Sequence, residues 1–256
     1  MLRNDLATNV PRPSSMDAEQ WISQQQGWAK VVNKSGGNLA KGDVVIPDTT
    51  AITVVAAAVA SGAQTVADTL ATENGFFRLV VTNSVAAVDA EDITVTGTDD
   101  NGNSISEDIT CTTDANGEWI SDNFYSTVTA VNYNSLNDTN ATAKLAVTAI
   151  AVSAVKKPAA TSDLTTVCGI MVQDVDGAET IADEAYAYMA TRGIVDAKLD
   201  RADQNPGAIL ATSGSNAGQL AAPSSAAVGG VVAKLVDQNK AEEGGSQLLR
   251  VQLILA

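Results

Sequence analysis

Residues 28–47 read Trp28-Ala29-Lys30-Val31-Val32-Asn33-Lys34-Ser35-Gly36-Gly37-Asn38-Leu39-Ala40-Lys41-Gly42-Asp43-Val44-Val45-Ile46-Pro47. Ala29, Val31 and Asn33 alternate with Lys30, Val32 and Lys34, the period of two that gives a strand unlike faces. Ser35-Gly36-Gly37-Asn38 supplies turn residues that tolerate positive φ. Leu39 to Ile46 resumes an extended run, and Pro47, with no N–H to donate, stops it. The stretch predicts a β-hairpin closed by a glycine turn.

The same grammar recurs downstream. Phe76–Thr82, Asp92–Thr98, Ser104–Cys111, Phe124–Tyr133 and Lys144–Val155 read as strands, with turns at Asp99–Asn103 and Asp114–Gly117. Strands of this length and spacing between such turns indicate a β-sandwich. Thr165–Asp174, Gly193–Leu199, Val231–Val236 and Leu249–Leu255 add further strands, with a small-residue loop at Ala221–Gly230 and a turn at Glu242–Gly245. Ala182–Ala190 alternates Tyr186 and Tyr188 with alanine and is assigned as strand, although its alanines also suit a helix. Asp17–Gln26 suits one short helix, preceded by a polar arm with Pro11 and Pro13.

The 256 residues suggest one or two domains and can bury about 70% of the unfolded surface. Apolar residues make up 45% of the chain but aromatics only 4%, so the core must be built from Val, Ile, Leu and Ala. The net charge of −15 repels phosphate and argues against nucleic acid as a partner. Apolar runs such as Ala51–Ala60 and Leu145–Val155 are too short for a membrane-spanning helix. Met1–Gln20 has no signal-peptide apolar stretch, which leads us to expect a soluble chain made in the cytoplasm.

The chain has no histidine. Ser-His-Asp and Cys-His catalysis and His metal ligation are thereby excluded. Cys111 and Cys168 form no CxxC pair and cannot build a zinc site; two buried thiols are expected, with one bridge possible but not needed. Gly36-Gly37 and Gly229-Gly230 lack any phosphate-loop pattern. Counted from Asp99, an EF-hand would need glycine sixth and glutamate twelfth; Ser104 and Thr110 stand there instead, so a turn is expected. Asp196, Asp200 and Asp203 around Arg201 read as a solvated charge cluster. Alternation places Glu107 on the face of Ile105 and Ile109, which predicts a bulge or a sandwich-edge position rather than a catalytic acid. No enzyme, no cofactor and no metal are therefore expected. Trp119 reads as core or rim, whereas Trp21 and Trp28 flank the arm and suit either an interface or packing at the barrel base.

Val31–Val45 resembles the opening hairpin of tailed-phage capsid decoration (cement) proteins. Val167-Cys168-Gly169-Ile170-Met171-Val172-Gln173-Asp174 is similar to their second signature, and Gly229–Leu235 followed by Leu249–Leu253 to their close. Ile93–Asp99 with Gly102, Ile105, Ser106, Glu107 and then Phe124–Thr129 looks like a β-rich module of phage virion proteins. The resemblance implies an all-β chain: a small β-tulip-like barrel from both terminal stretches, with an inserted Ig-like sandwich and an extended N-terminal arm. The expected division is an arm at 1–27, a discontinuous capsid-binding barrel at 28–50 and 158–256, and an inserted sandwich at 51–157. It also implies a virion protein on the capsid exterior, a homotrimer clamping neighbouring copies of the major capsid protein. Arg3, Arg12, Trp21 and Trp28 are its candidate interface residues. The other expectation is a tail, neck or fibre component, or an adhesin that grips the host surface through the sandwich.

Overall fold

The structure, a computed structural model, describes residues 27–58, 62–83, 91–111, 117–134, 145–158, 167–200, 208–213, 216–221, 233–236 and 247–253. The expected arm and helix up to Gln26, the turn at Asp114–Gly117 but for Gly117, the loop at Ala221–Gly230 but for Ala221, and the turn at Glu242–Gly245 lie outside them. Among the described residues there are strands and no helix. The chain forms two compact units, one from Met1–Asp48 with Val155–Ala256 and the other from Thr49–Ala154.

In the first unit, β1 (Trp28–Asn33), β3 (Val44–Pro47), β12 (Ala154–Lys156), β13 (Gly169–Asp174) and β15 (Tyr186–Ala190) close a barrel in the order β1-β12-β3-β13-β15. The short strands β2 (Leu39–Ala40) and β14 (Thr180–Ile181) pair beside it. A second barrel closes from β16 (Ile194–Leu199), β17 (Ile209–Thr212), β18 (Leu220–Ala221), β19 (Ala233–Leu235) and β20 (Gln247–Leu253), in the order β16-β18-β17-β19-β20. The sequence reading expects one barrel; the strands close two. A ten-stranded barrel would enclose more space than side chains fill, since about eight strands already reach that limit. Aliphatic and small side chains fill five-stranded interiors instead.

β3 over Val44–Ile46, the start of β13 and the end of β15 are buried on both faces, and this explains the unbroken apolar runs at Val44–Ile46 and Gly169–Met171. Val45, Met171 and Met189 point into the first barrel with Val31, Leu39 and Ile181. Val44, Ile170 and Ala190 point the other way, into the core of the second barrel with Leu199, Leu235 and Val251. Gly169 must approach closely here, because a Cβ on it would fall 2.6 Å from the Ala190 carbonyl oxygen.

The expected hairpin is a correction. β1 and β3 are not partners: β1 lies between β12 and β15, β3 between β12 and β13, and β2 pairs with β14. The glycine turn is bound to a distant segment instead. Asn33 is fully buried, and its Nδ2 donates to the carbonyls of Gly37, Ile181 and Ala182 at 2.9, 3.2 and 2.9 Å. Its Oδ1 accepts from Ser35 N at 3.0 Å. The run stops at Pro47 as expected: it is the last residue of β3 and pairs with Val155. That pairing sets the two chain ends of the first unit, at Asp48 and Val155, side by side.

The same unit is tied by a buried carboxylate. Asp43, 1% exposed, takes Lys198 Nζ at 2.7 Å and Lys157 Nζ at 3.1 Å and accepts the Ala40 N–H at 2.8 Å. Its main chain accepts Met171 N at 2.8 Å, and Lys198 N donates to Gly42 O at 2.9 Å. One residue thus links the stretches that build both barrels.

The second unit has two four-stranded sheets. One runs β5-β10-β7-β8, from β5 (Gly62–Ala63), β10 (Thr127–Tyr133), β7 (Glu91–Thr98) and β8 (Ser104–Cys111). The other runs β4-β11-β6-β9, from β4 (Ala51–Ala58), β11 (Leu145–Val152), β6 (Phe76–Asn83) and β9 (Glu118–Ile120). Alternate residues of both sheets share a single core around Phe77, Tyr125 and Tyr133. β10 and β11 stand in different sheets, whereas the immunoglobulin order keeps its last two strands together. The strand expected over Lys144–Val155 is two strands, broken at Ser153, whose φ is 58°.

Candidate interaction site

The outer surface of the first barrel carries an aromatic strip. On β1 the odd positions Ala29, Val31 and Asn33 face inward, which turns Trp28 and Lys30 outward. On β15 Ala187 and Met189 face inward, which turns Tyr186 and Tyr188 outward. The antiparallel register sets Lys30 opposite Tyr188 and Val32 opposite Tyr186. Trp28 and Tyr188 meet with ring centroids 6.0 Å apart and planes tilted by 35°. Lys30 Nζ lies 4.5 Å from the centroid of the Tyr186 ring, within cation–π range. Gln173 on β13 pairs with Tyr188 and extends the strip with an amide.

Three aromatic side chains thus gather on one strip of a chain only 4% aromatic. All three are half-buried. Such residues supply large contact area with few torsions to freeze, the property that concentrates binding energy at interfaces. Of the four residues expected at an interface, Trp28 lies in this strip; Arg3, Arg12 and Trp21 lie outside the described residues. Trp28 also packs on the second barrel's core, so it combines packing with partial exposure. Sequence reading missed Tyr186, Tyr188 and Lys30 as site residues. The Tyr-Ala-Tyr alternation marked two tyrosines on one face of a strand but could not say that β1 lies beside them.

The other residues singled out have structural partners. Glu107 needs no bulge, because β7 and β8 pair in unbroken register from Glu91↔Cys111 to Thr98↔Ser104. It stands on the edge strand β8, and its carboxylate accepts Asp122 N at 2.5 Å, Asn123 N at 3.0 Å and the Tyr125 hydroxyl at 3.3 Å. Burial, and then the negative Glu107, push the Tyr125 phenol above its ordinary range, so it stays a donor. Glu107 therefore holds the segment that crosses from β9 to β10. Glu107→Gln turns one acceptor into a donor aimed at a main-chain N–H, and is expected to cost the unit about 1–3 kcal/mol in chemical denaturation. A change within error would show that the crossing segment is held by its backbone alone.

Asp99 closes its turn as expected. Its Oδ1 accepts Asn101 N at 2.9 Å and Asn103 N at 2.8 Å, and its Oδ2 accepts Asn103 Nδ2 at 3.0 Å. The Asn103 amide, more than any other cause, holds its carboxyl below the ordinary range. Of the acidic group around Arg201, Asp196 pairs with Lys41 at 3.4 Å and Asp200 accepts from Ser213 and Asn216, while Arg201 and Asp203 lie outside the described residues. Cys111, buried, and Cys168, half-buried, are thiols outside any disulfide, one in each unit. Burial pushes the Cys168 thiol up to about 11, which keeps it protonated and a poor nucleophile near neutral pH. Trp119 packs partly against the second unit's core, its ring over Gly117.

The chain matches no family model, and no curated protein or solved structure matches it either.

Proposed function

We propose that this chain is a structural protein of a tailed-phage virion, which grips the outer surface of the capsid through its first unit. The aromatic strip of Trp28, Tyr186 and Tyr188 carries the reading. It is a contact surface beside the start of β1, where the N-terminal residues that complete the grip join the barrel. The barrel is the rigid mount, since a closed sheet has no edge to fray. The two sheets of the second unit are read as the inserted sandwich, with a strand order that departs from the immunoglobulin one, and the barrels as the β-tulip-like capsid-binding part. A net charge of −15 keeps free protein soluble before assembly and suits a face remote from packaged DNA. Three copies bound as a trimer across neighbouring capsid subunits would hold several contacts at once, and linked contacts exceed their separate affinities.

The experiment is binding of the full chain to capsids of the phage that encodes it, followed by cryo-electron microscopy. Density on the shell's exterior is expected. Trp28→Ala combined with Tyr188→Ala is expected to weaken binding by about 2–4 kcal/mol, roughly thirtyfold to a thousandfold, with the circular dichroism spectrum preserved. Density at the tail or neck, or unchanged affinity of the double variant, would reject the reading.

A further inference from the structure

We propose that Asn101 is a site of spontaneous deamidation, at the exposed tip of the β7–β8 hairpin. Asn101 and Gly102 are both exposed within the Asp99–Asn103 turn. Gly102 has φ 76°, and the space where a Cβ would stand has no atom within 4 Å. Its main-chain nitrogen is therefore free of steric shielding, the property that makes glycine the best neighbour for this reaction. The Gly102 N–H is held by one bond, to Asp99 O at 3.1 Å. That bond lies at the surface of a turn, and opening it uncovers no core. The Asn101 side chain is held by its neighbour alone in the sequence, Nδ2 donating to Asp100 Oδ1 at 3.0 Å.

Asn74 also precedes a glycine and is exposed, but Gly75 is buried where Gly102 is open; Asn103 and Asn33 are placed differently again. Asn103 has its Nδ2 held by Asp99 Oδ2 at 3.0 Å and is followed by Ser104, which pairs with Thr98 in the sheet. Asn33 is buried, with its side chain bound on both sides.

In the reaction, the Gly102 nitrogen gives its proton to solvent base and attacks Cγ of Asn101. The N–Cγ bond forms, the Cγ–Nδ2 bond breaks, and Nδ2 leaves as ammonia. Water then opens the cyclic imide at one of its two carbonyls. Opening at Cγ leaves an aspartate at position 101; opening at the main-chain carbonyl leaves an isoaspartate, with the chain rerouted through Cγ. The sum is amide plus water giving carboxylic acid plus ammonia, with no change of oxidation state. Either product sets a third carboxylate beside Asp99 and Asp100. Isoaspartate also adds a methylene to the main chain inside the cradle where Asp99 Oδ1 binds the N–H groups of positions 101 and 103.

The test incubates the folded full chain in heavy-oxygen water at neutral and mildly alkaline pH and maps its peptides by mass spectrometry. Position 101 is expected to take up the label and gain its charge roughly an order of magnitude faster than Asn103 or Asn33, and faster in alkali. Asn101→Ser is expected to remove the acidic species arising at this peptide while leaving the unfolding midpoint in place. The proposal is overturned if Asn101 converts no faster than Asn103 in the folded chain, above all if unfolding in denaturant releases the reaction.

Discussion

Asp43→Ala is expected to destabilise the first unit by about 3 kcal/mol, a large effect for one side chain. The carboxylate is 1% exposed and serves three donors: Lys198 Nζ at 2.7 Å, Lys157 Nζ at 3.1 Å and Ala40 N at 2.8 Å. Alanine leaves the Ala40 N–H without its side-chain acceptor and two ammonium groups beside a shared vacancy. The lysines have some recourse to water, as their side chains are 22% and 34% exposed, and this keeps the loss below that of a fully buried pair. Lys157→Ala, which removes the more exposed cation, is expected to cost less than about 1 kcal/mol. Denaturant unfolding measures the totals. Amide hydrogen exchange should localise the Asp43→Ala loss to β3, β13 and β16, with β7 and β10 still protected. Equal effects from the two variants would mean that the carboxylate is not the centre of the network.

Gly97→Val is expected to cost the second unit about 3 kcal/mol or more. A Cβ on Gly97 would fall 2.0 Å from Thr127 O and 2.9 Å from Cδ1 of Tyr125. Thr127 O belongs to the neighbouring strand β10, whose register with β7 shifts between Val128 and Ala130. Tyr125 is fully buried and bound to Glu107, so its ring has nowhere to move. The strand must separate or the core must open. Gly37→Ala is the control: nothing lies within 4 Å of a Cβ there, and its φ is not in the left-handed region, so a change within about ±0.5 kcal/mol is expected. Thermal unfolding with exchange monitored at β7 and β10 separates the cases. A Gly97→Val variant as stable as the parent would mean that β7 and β10 pair more loosely than their geometry states.

These two residues differ in how openly the sequence announces them. Gly97 sits in Thr94-Val95-Thr96-Gly97-Thr98, a strand readable from alternation, yet nothing local shows that Thr127 O comes within 2.0 Å of its missing side chain. Asp43 stands between Gly42 and Val44 inside Leu39–Ile46, a run that reads as a single strand, and nothing local shows that lysines at positions 157 and 198 meet its carboxylate. The candidate site divides likewise. Trp28 could be singled out from sequence, for an interface or for packing at the barrel base, because tryptophan is rare here and it adjoins the arm. Tyr186, Tyr188 and Lys30 became part of the site only through the β1–β15 register.

Local patterning was enough for the all-β class, the positions of β6, β7, β8, β13, β16 and β20 to within a few residues, the Asp99–Asn103 turn, and the exclusion of histidine chemistry. Each follows from local causes: a period of two, a turn side chain bonding its own backbone, a residue type that is absent. Tertiary structure alone decided which strands are neighbours: that β1 and β3 are separated, that the termini close two barrels, and that Glu107 binds Asp122 and Asn123. Alternation states which face of a strand is buried but not what covers it, and backbone groups pair alike with any partner in register. Where both faces are buried, as at Val44–Ile46, even the alternation disappears, and the partner is chosen by the fit of whole cores brought together from distant parts of the chain.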